Sequence, residues 1–135
     1  MDVAILAGGY GTRLAGTWDR AKCLAPVAGR PLIARLVEKA LLLGPRRVYL
    51  LLGHRAEDVL EWLRGGGLPA NVVPVVSEPT GPIAALREML DEFEPQLMVL
   101  NGDTLPQFSL AGLSVASYIT CSPITAAWHA DSHAG

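Results

Sequence analysis

"DVAILAGGYGTRL", Asp2 to Leu14, decides how the rest of this chain is read. Its apolar opening, residues 2 to 7, reads as a strand buried on both faces, the kind found inside a parallel sheet. The run stops at Gly8, Gly9 and Gly11, with Thr12 and Arg13 completing the loop. Glycine is used where a backbone takes positive φ or lets something approach closely. The loop therefore reads as one wrapped around a ligand.

Outward from that strand, β-rich runs alternate with amphipathic windows. "RPLIARLVEKALLLG" (30–44) predicts a helix with Pro31 at its first position, Leu32, Leu36, Ala40 and Leu43 at helical spacing, and Gly44-Pro45 as its stop. "RVYLLLG" (47–53) is a second buried strand, and "AEDVLEWLRG" (56–65) a second helix with Val59 and Trp62 facing the core. "NVVPVV" (71–76) is a third strand, which Pro74 pushes to an edge. "PIAALREMLDEF" (82–93) is a third helix opened by proline, and "QLMVLNGD" (96–103) a fourth strand that breaks off in Asn101, Gly102 and Asp103. This alternation predicts an α/β fold: a Rossmann-like, three-layer α/β/α arrangement around an open, mostly parallel sheet with right-handed crossovers. Past residue 114 the pattern weakens, leaving one strand expected near 124–128. With no repeat and no low-complexity linker, residues 1–135 read as a single domain.

Composition limits what the chain can do. Half of its 135 residues are apolar and its net charge is −2, which describes a folded protein and argues against disorder or a nucleic-acid surface. The longest apolar stretches fall short of the roughly 20 residues a bilayer demands. The first apolar run lacks the basic flank of a signal peptide. Cys23 and Cys121 lie far apart without CxxC spacing and read as reduced thiols, so the expected location is cytoplasmic. Neither nucleic acid nor membrane is expected as a partner.

In an open α/β sheet ligands sit beyond the carboxyl ends of the strands, where strand order reverses. Polar clusters fall at such ends at Gly8 to Arg13, Ser77 to Pro82 and Asn101 to Thr104. A dinucleotide fingerprint fails because Leu14 stands where the last glycine belongs, and no P-loop string exists. What remains is a nest of backbone N–H groups from Gly8 to Thr12 with Arg13 and Lys22 beside it, a set suited to a triphosphate. Asp103, ending a buried strand at that edge, is a candidate for Mg²⁺, a hard ion that prefers carboxylate, water and phosphate oxygens. His129, Asp131 and His133 share one face of an extended segment and read as exposed residues rather than a metal site. His54 reads as a loop histidine with a structural hydrogen bond, and Tyr10 and Trp18 as aromatics flanking the glycine loop.

"LAGGYGTRL" (6–14), "AKCLAPVAGRPLI" (21–33) and "LNGDT" (100–104) together resemble the sugar-1-phosphate nucleotidyltransferase family, in order over residues 2 to about 113. Its heptose-1-phosphate guanylyltransferase-like and hexose-1-phosphate uridylyltransferase-like branches look nearest. The resemblance implies that Leu6, Ala7, Gly8 and Gly9 lie along the base and ribose, and that Gly11, Thr12 and Arg13 hold the triphosphate. It further implies that Lys22 neutralises charge on the reacting phosphate, Asp103 binds Mg²⁺, and Gly81, with Glu78 as a weaker candidate, reads the nucleobase. Arg13, Lys22 and Asp103 would be the catalytic set, and the partners a nucleoside triphosphate and a sugar 1-phosphate. Ala21 and Cys23 replace prolines of the family's lysine segment, which is expected to loosen that loop. Relatives continue well beyond this length, so the resemblance implies a nucleotide-binding front half whose C-terminal part is missing. A homodimer covering the open sheet edge is expected on that account. The alternatives are a non-catalytic nucleotide-binding module and a guanylyltransferase acting on a molybdenum-cofactor-like acceptor.

Overall fold

The computed structural model describes residues 1–8, 20–77, 82–106 and 109–112. The chain divides into two units, Met1–Leu105 and Pro106–Gly135. In the second, the Ser109 hydroxyl accepts a 3.1 Å hydrogen bond from the Gly112 N–H. The strand expected near 124–128, Cys121 and the 129–133 histidine pair lie outside the described residues.

The first unit is the α/β sheet that the sequence predicts. In chain order its elements are β1 (Asp2–Leu6), a 3-10 turn (Lys22–Leu24), β2 (Pro26–Val27), β3 (Arg30–Pro31), α1 (Leu32–Leu41), β4 (Val48–Leu52), α2 (Ala56–Arg64), β5 (Val72–Val76), α3 (Pro82–Glu88) and β6 (Leu97–Asn101). The main sheet is four-stranded in the order β5-β4-β1-β6, and every pairing in it is parallel. β4 is buried at all five positions, as a central strand covered on both faces must be. β5, which carries Pro74, lies at the edge of the described sheet, where a missing N–H disrupts no ladder on its outer side.

Strand order and handedness assign the helices to faces. The β1-α1-β4 and β4-α2-β5 crossovers step across the sheet in one direction, whereas β5-α3-β6 steps back past two strands. Right-handed crossovers that run in opposite directions put their helices on opposite faces. Accordingly Ala85, Leu86 and Met89 pack with Phe93 over Ala4, Tyr49 and Leu51. Val3, Ile5, Leu50 and Leu52 point to the other face and are almost wholly buried there. α1 has its own buried stripe, Leu32, Ile33, Leu36, Val37 and Ala40.

Two helix boundaries differ from the sequence reading. Pro31 is the N-cap of α1, at φ −55° and ψ 139°, because its carbonyl end still belongs to β3. α3 stops at Glu88 rather than Phe93, and turns carry the chain on: Glu92 N–H bonds Met89 O at 2.9 Å, while the Phe93 ring meets Tyr49 edge-on at 5.2 Å. The apolar spacing that suggested a longer helix therefore serves a turn that packs on the same face.

At the amino edge of the sheet Asp2 is fully buried, unusual for a charged residue. Its carboxylate accepts from Arg46 at 2.5 and 3.1 Å and from the backbone N–H groups of Arg47 (3.2 Å) and Glu94 (2.9 Å). Burial pushes this carboxyl up, but the Arg46 side chain and the Glu94 N–H, with the Arg46 charge and the Arg47 N–H, outweigh it and hold it below its ordinary value.

Candidate functional site

The strand order reverses between β1 and β6. One chain of crossovers leaves β1 toward β4, and β6 returns on its other side. This is the switch point at which open α/β sheets bind ligands. Leu6 is level with Leu51 and Asn101 in the register, so the loops after β1, β4 and β6 leave the sheet together.

Glycines allow these loops to crowd. Gly102 N–H bonds the Leu6 carbonyl at 2.9 Å, and a Cβ on Gly102 would press into that carbonyl group and come within 3.0 Å of the Ala7 Cα. A Cβ on Gly8 would lie 3.1 Å from the Gly53 nitrogen, and one on Gly53 3.2 Å from the Gly8 oxygen. Leu6, Ala7 and Gly8 are half-buried in this crowded rim. The packing roles of Gly53 and Gly102 are not signalled by the loop motif; the hint is a glycine directly after β4 and another directly after β6.

Lys22 arrives by a different route. The 3-10 turn buries Cys23 and Leu24 and leaves Lys22 as its outward residue, 24% exposed. Burial pushes the Cys23 thiol up to about 12, making it a packing group. The turn is tied at both ends. Ala21 N–H donates to Asp58 Oδ2 on α2 at 2.8 Å, and Leu32 N–H bonds Ala25 O at 3.0 Å. Behind it, β2 and β3 form a hairpin through Ala28 and Gly29, both at positive φ, and Arg35 of α1 donates to the Val27 and Ala28 carbonyls at 2.6 and 3.0 Å. The loosening expected from Ala21 is thus offset by a tether that the proline would have precluded.

From this turn Lys22 Nζ donates to Asp103 Oδ2 at 3.2 Å, and Thr104 Oγ1 donates to Asp103 Oδ1 at 3.0 Å. Asp103 remains 38% exposed, open to a ligand from solvent. A cation and an anion thus stand side by side at the switch point, each able to take an opposite charge. Among the described residues no group of three or more His, Cys, Asp or Glu could enclose a metal. A single carboxylate still suits Mg²⁺, which keeps waters and draws its other ligands from phosphate oxygens. Gly9, Gly11, Thr12, Arg13, Glu78 and Gly81 lie outside the described residues, as do Tyr10 and Trp18. His54 is exposed just past β4.

An open, parallel α/β sheet with a polar cluster at its switch point is the class that this geometry defines. The profile of the MobA-like NTP transferase domain matches residues 3–128, and the chain belongs to that family. It is 38% identical over 102 residues to the bifunctional protein GlmU of Prochlorococcus marinus (strain MIT 9211), an alignment covering 75% of this chain and 22% of GlmU. HddC from Yersinia pseudotuberculosis, solved in complex with GMP-PN, superposes with a TM-score of 0.75 at 29% identity, over 86% of this chain and 53% of HddC. A putative glucose-1-phosphate thymidylyltransferase from Bacillus anthracis superposes with a TM-score of 0.72 at 26% identity, over 89% of this chain and 50% of its own. The chain therefore spans about a fifth of the curated relatives' length (22%) and about half that of these solved structures. No helix among the described residues is long and apolar enough to cross a membrane.

Proposed function

We propose that this chain carries the nucleotide-handling part of a Mg²⁺-dependent nucleotidyltransferase, which moves a nucleoside monophosphate from a nucleoside triphosphate to a sugar 1-phosphate. The observation that carries the reading is the Lys22–Asp103 pair at the reversal of strand order, in a chain of the NTP transferase family.

In this reaction an ionised oxygen of the sugar 1-phosphate attacks the α-phosphorus. The bond from that phosphorus to the bridging oxygen of the β-phosphate breaks, and pyrophosphate leaves with the electron pair. The attacking oxygen carries no proton to remove, so the protein's task is alignment and charge compensation. Lys22 bonds a non-bridging oxygen of the α-phosphate, where charge accumulates. Asp103, steadied by Thr104, would hold Mg²⁺, and the ion when bound would supply Lewis-acid charge neutralisation. Leu6, Ala7, Gly8 and Gly9 line the nucleoside, with Gly81 at the base edge. Gly11, Thr12 and Arg13 take the triphosphate. A cytoplasmic location, where nucleoside triphosphates are at hand, belongs to this reading.

The test is pyrophosphate release from each of the four ribonucleoside triphosphates with a panel of sugar 1-phosphates, plus a molybdenum-cofactor-type acceptor. Release that needs both substrates and Mg²⁺ is the expected result. The alternative is a nucleotide-binding module without turnover. Triphosphate binding with silence across the panel would establish that one, and any turnover would eliminate it.

A further inference from the structure

We infer that Asp58 is a positioning residue, whose carboxylate holds the backbone of the lysine turn and so keeps Lys22 on Asp103. The inference rests on the proposed function for its consequence, but its geometry stands apart from any ligand.

Asp58 is in the first turn of α2, an element that carries none of the residues assigned above to nucleotide or metal. An acid there is favoured by the helix dipole and needs no other explanation from sequence. In the structure its Oδ2 accepts two hydrogen bonds, from Arg55 Nε at 2.7 Å and from Ala21 N–H at 2.8 Å. Arg55, immediately before α2, has φ 58° and ψ 32°, a left-handed conformation that a non-glycine residue adopts only at a cost. That strained residue grips the carboxylate that grips the turn. Ala21 is 4% exposed, and Cys23 and Leu24 beyond it are buried, so the Asp58 bond adds a charged acceptor to a well-packed anchor.

A packed residue such as Leu24 fixes depth but leaves freedom to slide, whereas a charge-assisted bond to the backbone fixes the position of the N–H immediately before Lys22. Without that bond the Ala21 N–H loses its charge-assisted bond to α2, and the turn is held less firmly against the helix. Lys22 would move with the turn and part from Asp103. The φ of Ala21, −52°, is one that proline adopts without strain, which supplies a way to restore rigidity while removing the N–H that needs Asp58.

Competitive amine labelling of the ligand-free protein reads this directly, because Lys22 and Lys39 are the chain's lysines and Lys39, on α1, serves as the internal reference. Trace acetic anhydride followed by peptide mass spectrometry gives the Lys22:Lys39 ratio. Asp58→Ala should raise that ratio about threefold, the size of losing a partly exposed ion pair. Asp58→Asn keeps an acceptor for the Ala21 N–H and should stay near wild type. The double variant Ala21→Pro with Asp58→Ala should return toward wild type. General loosening of the fold would raise labelling at both lysines and leave the ratio unchanged. A folded Asp58→Ala protein with an unchanged ratio overturns the inference. Should that variant fail to fold, the double variant decides: a ratio near wild type supports the assignment, and one raised about threefold overturns it. A protein that follows this labelling pattern but binds no nucleoside triphosphate keeps the role of Asp58 and loses the proposed function.

Discussion

Lys22 Nζ and Asp103 Oδ2 lie 3.2 Å apart although 81 positions separate them in the chain. One comes from a turn packed beside α2, the other from the end of β6, and they meet where the strand order reverses. Each neutralises the other while no ligand is bound. On the proposed function, a triphosphate arriving with its metal would offer both a new partner: phosphate oxygens for the ammonium, the cation for the carboxylate.

If Asp103 is the metal ligand, as proposed, Lys22 competes with a bare divalent cation for it. Lys22→Ala should tighten binding of Mn²⁺ alone by about threefold, in line with the modest worth of a partly exposed ion pair. The same variant should weaken binding of the metal–triphosphate complex by roughly tenfold or more, since a hydrogen bond to a charged group is lost. Electron paramagnetic resonance titration of free Mn²⁺ and calorimetry with the complex measure the two. A variant that binds bare Mn²⁺ more weakly would contradict the competition.

Gly102→Ala should be costly for a reason unrelated to turn propensity. The new methyl would press on the Leu6 carbonyl, which is backbone and already bonded to Gly102 N–H, so the ends of β1 and β6 must spread. A loss of about 1–3 kcal/mol in urea unfolding is expected, with a drop in metal affinity at the neighbouring Asp103. Unchanged stability would show that the strands part without cost.

The Asp2 clamp makes stability fall in acid. Its carboxyl lies below its ordinary 3.8 when folded and returns to that value on unfolding, so as pH falls the unfolded chain takes up the proton first. The stabilisation is complete above about pH 4 and is lost as pH drops through the folded value. Asp2→Asn should cost about 1–3 kcal/mol near neutrality, because the bonds that Arg46 and two backbone N–H groups make to a buried carboxylate lose their charge assistance, while Arg46, itself partly exposed, keeps Glu94. It should also flatten the acid limb of a stability–pH curve from urea midpoints, and an acid limb as steep as wild type would contradict this.

Cys23 should resist alkylation. With its thiol pushed up to about 12 by burial, almost no thiolate exists at pH 8. Peptide-resolved iodoacetamide labelling should show Cys23 modified only as urea unfolds the chain, with a midpoint matching the loss of circular dichroism. Rapid labelling in buffer would mean that the turn bearing Lys22 opens readily.

The architecture was legible because burial on both faces leaves a strong mark. β4 is apolar at every position, and the period of α1 shows its buried stripe. Pro74 likewise announced an edge strand through its missing N–H. Long-range polar contacts left no such mark. Asp2 looks like one more residue before an apolar run, and only the fold brings Arg46 and the Glu94 N–H to it. Asp58 reads as a dipole-favoured acid in a first helical turn, and nothing in the local pattern says that its carboxylate serves a backbone N–H 37 positions earlier. Lys22 and Asp103 were readable one by one from residue type and strand end, but their contact depends on tertiary structure.

A crystal structure with Mg²⁺ and a nucleoside triphosphate whose α,β-bridge is a methylene group tests the central claim most directly. The account predicts an Asp103 oxygen on the metal at about 2.1 Å, and Lys22 Nζ released from Asp103 onto an α-phosphate oxygen at about 2.8 Å. A triphosphate seated away from the carboxyl ends of β1 and β6, with the Lys22–Asp103 pair still closed, would contradict it.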